Sequence, residues 1–177
     1  GGYCFLNNAG IAAQRLRDGG AARVAILDVD FHHGNGTQDI FWRRADVFFA
    51  SLHGHPTETF PYFLGFADET GEDEGEGTTA NYPLARGTSY REWAQALETA
   101  LGRIAGFRAD ALVVSLGVDT YECDPISFFR LTGDDFLRYG ERIGQCRLPT
   151  LFCMEGGYGV EEIGRNAVNV LDGFEQA

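Results

Sequence analysis

The sequence of 177 residues contains no lysine, and all 14 of its basic residues are arginine. The absence of lysine excludes a P-loop nucleotide site, a Schiff-base lysine and the serine–lysine pair of some hydrolases. No apolar run approaches the roughly 18 to 20 residues that a membrane helix needs. No charged-then-apolar leader is present either, so we expect neither a membrane partner nor a secretory signal. The motif G-x-S-x-G is also absent, which argues against a nucleophilic serine.

Basic residues are outnumbered by 26 acidic ones, which gives a formal net charge of −12. A protein with this balance is not expected to bind nucleic acid, because binding depends on neutralising phosphates. Six of the acids lie in residues 68–76, a segment without any base. This acidic segment either attracts a small cationic partner or is a solvated loop, and the sequence favours neither reading.

Cysteine is scarce and scattered, and no two cysteines form a C-x-x-C pair. The four are Cys4, Cys123, Cys146 and Cys153. This spacing does not favour a zinc finger or a disulfide framework in a chain of this length. We therefore predict four reduced, mostly buried thiols in a cytoplasmic protein.

Short, continuously apolar runs alternate with amphipathic segments along the chain. We predict strands at 24–27, 47–52, 81–84, 111–116 and 149–154, with a long polar segment at 53–79. We predict helices at 6–18 and 36–44, from the capping box Ser89-x-x-Glu92, from Thr132 or Asp134, and at 160–174. Strands that are apolar on both faces and separated by helices indicate one α/β domain, with a mainly parallel sheet covered on both sides in three α/β/α layers.

Four of the five predicted strands end in polar side chains that could bind a ligand or take part in catalysis. The segments are Asp28-Val29-Asp30-Phe31-His32-His33, Ser51-Leu52-His53, Gly117-Val118-Asp119 and Glu155-Gly156-Gly157-Tyr158. Ligands of parallel α/β sheets bind at the carboxyl ends of the strands, so these groups are expected to converge.

Asp30, His32 and Asp119 would offer a divalent metal two oxygens and one nitrogen and leave coordination positions open, as catalytic sites do. Three other readings stay open from spacing alone. Asp28-x-Asp30 resembles the start of an EF-hand loop, although Asp39 stands at the twelfth position, where such loops have Glu. The Asn35-Gly36 pair is a hairpin signal, and charged residues at a strand end can simply be solvated. Tyr158, after two glycines, either polarises a bound carbonyl or packs as an ordinary tyrosine.

The same segments, in the same order, resemble the zinc-dependent histone deacetylase family of the arginase–deacetylase superfamily. The resemblance also covers Gly2-Tyr3-Cys4-Phe5-Leu6-Asn7-Asn8 and so extends over nearly the whole chain. Within the family, the segments 60–65, 77–81 and 124–129 look most like those of bacterial acetylpolyamine amidohydrolases.

The resemblance implies a role for individual residues. Zinc would be bound by Asp30, His32 and Asp119, and Tyr158 would hydrogen-bond the substrate carbonyl. A structural potassium or sodium ion would lie at Asp28, Ser51 and Leu52, with backbone carbonyls of the metal motif. The walls of the substrate tunnel would include Gly2, Tyr3 and Phe60.

The activity that the resemblance implies is zinc-dependent hydrolysis of an N-alkyl acetamide, with an acetylated polyamine as the small-molecule substrate. One alternative is deacetylation of acetyl-lysine in proteins. The other is a non-catalytic metal-binding fragment, because the tandem-histidine general base of the family is not within the chain. We expect residues 1–177 to be the C-terminal part of a single deacetylase domain with an arginase–deacetylase-like, incomplete fold, and to be inactive alone. A homodimer of the intact protein is compatible with the resemblance.

Overall fold

The computed structural model describes residues 2–177. Five strands form one sheet, and they are β1 (Val24–Asp28), β2 (Val47–Gly54), β3 (Thr79–Leu84), β4 (Ala111–Leu116) and β5 (Thr150–Met154). Five α-helices accompany them: α1 (Asn8–Asp18), α2 (Asn35–Phe41), α3 (Tyr90–Phe107), α4 (Gly133–Gly144) and α5 (Ile163–Glu175). A short 3₁₀ helix covers Asp73–Gly75.

All neighbouring strands are parallel, in the order β3-β2-β1-β4-β5. The central strand β1 is buried along its whole length, as are β2 and β4 on either side of it. Asp28, the last residue of β1, is in register with Ser51 on β2 and with Ser115 on β4. The carboxyl ends of the three strands therefore meet at one edge, as predicted.

The helices lie in two layers because side chains alternate between the faces of a strand. On one face α1 and α2 bury a small cluster that includes Ala13, Phe41 and Ile26. On the other face α3, α4 and α5 bury a larger cluster around Leu27 and Trp93. This arrangement confirms the predicted three-layer α/β/α class with a parallel sheet.

Local signals set the ends of several helices. Asn7 caps α1 with its side-chain oxygen, which accepts the N–H of Gly10 at 2.6 Å, so the helix begins two residues later than predicted. The predicted capping box at α3 is present, and Glu92 accepts the N–H of Ser89 at 2.9 Å. At α4 the cap is Thr132, which pairs in the same way with Asp135.

Some sequence-based predictions need correction. The strand β2 continues to Gly54 and β3 already starts at Thr79, so the predicted polar segment at 53–79 is shorter and contains the 3₁₀ helix. The four thiols are free, as predicted, but not mostly buried. Cys4 and Cys123 are exposed, whereas Cys146 and Cys153 are half-buried.

The edge strand β5 is only partly covered, in contrast to the three central strands. Its residues Leu151 and Met154 are 44% and 45% exposed. Within residues 2–177, no helix has the length and apolar character needed to cross a membrane.

Candidate active site

Asp30, His32 and Asp119 converge beyond the carboxyl ends of β1 and β4. One ligand atom from each lies within 4.8 Å of the others. The Nδ1 atom of His32 is 3.2 Å from Oδ1 of Asp30 and 3.0 Å from Oδ2 of Asp119. The three residues thus form one cluster of two oxygens and one nitrogen, although Asp119 is 87 residues from His32.

Backbone N–H groups hold both carboxylates in place. Phe31 donates its N–H to Oδ1 of Asp119 at 2.8 Å. The N–H groups of His32 and Gly156 donate to the two oxygens of Asp30, each at 2.8 Å. Outer hydrogen bonds of this kind orient the ligands of a metal site.

The two carboxylates give the cluster negative charge that a cation can offset. Burial and the nearby Asp30 carboxylate raise the pKa of Asp119 to about 7. Burial would lower the pKa of His32, but hydrogen bonds to Asp119 and Asp30 outweigh it and raise that pKa to about 10. A proton on the imidazole therefore offsets part of the negative charge of the two acids. A divalent ion can take over this role, so the residues fit a metal such as zinc.

Two glycines make room for this cluster. A Cβ atom at Gly156 would lie 2.5 Å from Oδ2 of Asp30 and 2.6 Å from Oδ2 of Asp119. A Cβ atom at Gly117 would collide with the Asp30 carboxylate as well. Any larger residue at either position would displace the acids.

Asp28 lies beside the cluster, not in it. Extended backbone beyond β1 would have put its side chain next to those of Asp30 and His32, but the strand ends at Asp28 and the chain bends. The buried Asp28 carboxylate accepts the N–H of Asp30 at 3.1 Å. Burial, followed by repulsion from Asp30, raises the pKa of Asp28 well above its usual value.

The predicted monovalent-cation residues Ser51 and Leu52 are fully buried on β2, next to Asp28. The Oγ atom of Ser51 is 2.8 Å from Nδ1 of His53. Burial and the neighbouring His33 lower the pKa of His53 to about 3, so the ring is neutral. Because Nε2 of His53 donates to the carbonyl of Gly65 at 2.9 Å, Nδ1 accepts the Ser51 hydroxyl proton. The lone pairs of Ser51 Oγ are then free for a cation.

A buried polar network beside the site was not predicted. The side-chain oxygen of Gln38 accepts from His33 Nε2 at 3.1 Å and from Asn81 at 2.7 Å. The Gln38 amide donates to Glu69 at 2.6 Å, and Glu69 also accepts the N–H of Gly65 at 3.0 Å. The network ties the segment after Phe60 to α2 and β3. Glu69 and Asn81 lie 31 and 43 residues from Gln38 in the sequence, so no local pattern reveals the network.

The acidic segment at 68–76 fits the reading as a solvated loop, because five of its six acids are exposed and only Glu69 is half-buried. Glu69 points inward and anchors the loop through the network above. Glu72 and Asp73 pair with Arg43 at 2.8 Å and 3.1 Å. Three of the six acids therefore have partners within the protein, and two of these three share Arg43.

The predicted tunnel residues Gly2, Tyr3 and Phe60 line an open cavity of about 1340 Å³, together with Tyr158 and the candidate metal ligands Asp30 and His32. The Phe60 ring lies edge-on to His32, with centroids 6.5 Å apart. The Tyr3 and Tyr158 rings are 5.9 Å apart. All four predicted residues thus lie on the cavity that reaches the metal cluster.

Tyr158 follows β5 and enters the cavity from the loop after Gly156. Burial, together with the nearby Asp119 and Asp30 carboxylates, raises the pKa of its phenol to about 12. The phenol therefore keeps its proton at neutral pH and is a hydrogen-bond donor.

Fold and donor set together place the chain among three-layer α/β proteins with a candidate catalytic metal site at the carboxyl edge of the sheet. The model of the histone deacetylase domain matches residues 1–174, and the chain belongs to this family.

Its relatives include the acetylpolyamine amidohydrolase of Mycoplana ramosa, which is 65% identical over 98% of this chain and 51% of its own length. Acetylpolyamine amidohydrolase 1 of Pseudomonas aeruginosa is 67% identical over 100% of this chain and 51% of its length. The crystal structure of the acetylpolyamine aminohydrolase from Burkholderia pseudomallei superposes with a TM-score of 0.96 at 48% identity, covering 98% of this chain and 51% of that one. The chain thus spans about half the length of the relatives that it matches.

Proposed function

We propose that the full-length protein hydrolyses the acetamide bond of acetylated polyamines in a zinc-dependent reaction. The observation that carries the proposal is the cluster of Asp30, His32 and Asp119, of which Asp30 and His32 line an open cavity. The choice of substrate is supported by relatives at 65% and 67% identity that are named acetylpolyamine amidohydrolases. In this proposal residues 1–177 are the C-terminal part of a single deacetylase domain.

Asp30, His32 and Asp119 would hold the zinc ion. Bound there, zinc would supply Lewis-acid polarisation of the substrate carbonyl and would lower the pKa of a coordinated water. The residues themselves limit motion at the site. Each acid keeps at least one oxygen hydrogen-bonded to a backbone N–H, so its direction toward the ion is fixed before substrate binds.

Tyr158 would donate a hydrogen bond to the carbonyl oxygen of the acetyl group. This bond strengthens as negative charge develops on that oxygen, and one such donor contributes about 10²- to 10³-fold to the rate. A pKa of about 12 keeps the donor proton in place throughout the physiological range. The proton acceptor for water would be the tandem histidine of the family, outside residues 1–177, so we predict that these residues alone do not turn over substrate.

Gly2, Tyr3 and Phe60 would form the passage for the alkyl chain of the substrate. Aromatic rings pack well against the methylene groups of a polyamine, and a glycine leaves space for the chain. Phe60 is 42% exposed and Tyr3 84% exposed, so both offer ring surface to a ligand.

Asp28, Ser51 and Leu52 would hold a potassium or sodium ion. The carboxylate of Asp28 is buried, and within residues 2–177 no arginine or histidine forms an ion pair with it. A bound cation would offset the cost of keeping this charge away from water. A homodimer of the intact protein stays a prediction.

The test compares kcat/KM of the purified full-length protein for acetylputrescine and for an acetyl-lysine peptide, before and after removal of metal by a chelator. We expect a clear preference for acetylputrescine, loss of activity on chelation and recovery with added zinc. A preference for the peptide would instead support a protein deacetylase. Absence of turnover with either substrate in the zinc-loaded protein would contradict the proposed hydrolase.

A further inference from the structure

The loop between β4 and α4 contains a second buried acid, Asp124, five residues after the metal-site residue Asp119. Asp124 is only 6% exposed to solvent. Within residues 2–177, no arginine or histidine forms an ion pair with it. A buried carboxylate is costly unless hydrogen-bond partners satisfy its oxygens.

Those partners are backbone N–H groups from two loops. Oδ2 of Asp124 accepts the N–H of Tyr158 at 2.7 Å and the N–H of Gly159 at 3.2 Å. Oδ1 accepts the N–H of Ile126 at 3.0 Å. Hydrogen bonds to an ionised acceptor are about twice as strong as neutral ones, so one side chain joins the two loops firmly.

The two loops that Asp124 joins carry different parts of the site. Its own loop supplies Asp119 to the metal cluster, whereas the loop after β5 supplies Tyr158. Ile126 and Tyr158 both line the cavity. The main chain of Asp124 is itself fixed, because its N–H donates to the carbonyl of Tyr121 at 2.9 Å.

We propose that Asp124 is a positioning residue that sets the place of the Tyr158 phenol relative to the metal ligands. The inference rests on the proposed function of Tyr158. Asp124 does not touch the reacting atoms and acts only through the backbone of Tyr158. A shift of about 1 Å in a group that contacts the reacting centre can lower a rate about 100-fold, so loss of this tie affects kcat.

The test is a double-mutant cycle on kcat in the zinc-loaded full-length protein, with acetylputrescine as substrate. The variants are Asp124→Asn, Tyr158→Phe and the double variant. Asparagine has nearly the same shape as aspartate, but it loses the charge and replaces one acceptor oxygen by a donor. We expect Asp124→Asn to lower kcat about 10- to 100-fold. In the Tyr158→Phe background the same change should lower kcat less than twofold, because the phenol that it positions is already gone.

The matched control is Glu122→Gln, which removes one charge from the same loop at an exposed position. We expect it to leave kcat and KM unchanged. Zinc content and melting temperature are measured for every variant. If Asp124→Asn does not fold, Asp124→Ser, which keeps an acceptor oxygen, enters the cycle instead.

Two results would overturn the inference. One is a kcat of Asp124→Asn within twofold of wild type. The other is an equal loss in both backgrounds, because a general structural role would lower activity by the same factor with or without the phenol. A failure of the proposed function would look different, since the wild-type protein itself would then be inactive in this assay.

Discussion

Gly156 offers the sharpest test of the metal site, because a single methyl group would press on both acids. In Gly156→Ala the new Cβ atom would start 2.5 Å from Oδ2 of Asp30 and 2.6 Å from Oδ2 of Asp119. Real Cβ atoms essentially never come this close to an oxygen, so the carboxylates or the loop have to move. The shift would also disturb the 2.8 Å hydrogen bond from the Gly156 N–H to Asp30.

Overpacking by one methyl group typically costs about 1–3 kcal/mol. If this strain acts mainly on the metal-bound geometry, zinc affinity falls about 5- to 150-fold, since 1.4 kcal/mol corresponds to a factor of ten. The assay is a zinc titration of the full-length apoprotein against a competing chelator. The control is Gly164→Ala in α5, where an added Cβ has no atom within 4 Å. Unchanged zinc affinity in a folded Gly156→Ala protein would refute the assignment of Asp30 and Asp119 as metal ligands held by this loop.

Three further predictions concern the Tyr158 phenol, the ion pairs of Asp46 and the packing of Gly65 against His53. Tyr158→Phe is expected to retain zinc and lose about 10²- to 10³-fold in kcat, measured with acetylputrescine; turnover near the wild-type rate would rule out the donor role. Hydrogen bonds from Arg44 and Arg17 lower the pKa of Asp46 from 3.8 to about 2. The stabilising effect of this carboxylate is therefore present above about pH 4 and is lost as the pH falls through about 2. The free energies of unfolding of Asp46→Asn and wild type, measured with a denaturant, should differ near neutral pH and converge toward pH 2. A difference independent of pH would contradict a stabilising role of the ionised Asp46 carboxylate. Gly65→Ala would place a Cβ 2.6 Å from His53 Nε2, whereas Gly77→Ala, also at positive φ, meets no atom within 4 Å. The first variant should melt at a lower temperature than the second, and equal melting temperatures would argue against close packing at His53.

Much of the fold could be predicted from the sequence because its signals are local. Runs such as Ala111–Leu116 are apolar at almost every position, which suits only a strand covered on both faces. The caps at Ser89 and Thr132 also lie next to the helices that they start. The weaker predictions were the ends of β2 and β3 and the burial of the cysteines, because these depend on what packs against them.

For the candidate site, the sequence by itself determined the kinds of donor atom, two carboxylates and an imidazole, and their placement directly after buried strands. Only the tertiary structure decided which of them meet. The register of β1 with β4 brings Asp119 to within 3.0 Å of His32, while the bend after β1 leaves Asp28 outside the cluster. It also decided the long-range partners of Gln38 and Asp124. Gln38 bonds to Glu69 and Asn81, which are 31 and 43 residues away, and Asp124 bonds to Gly159, which is 35 residues away. Contacts over such distances depend on the path of whole loops and on the sheet beneath them, and no short stretch of sequence encodes either.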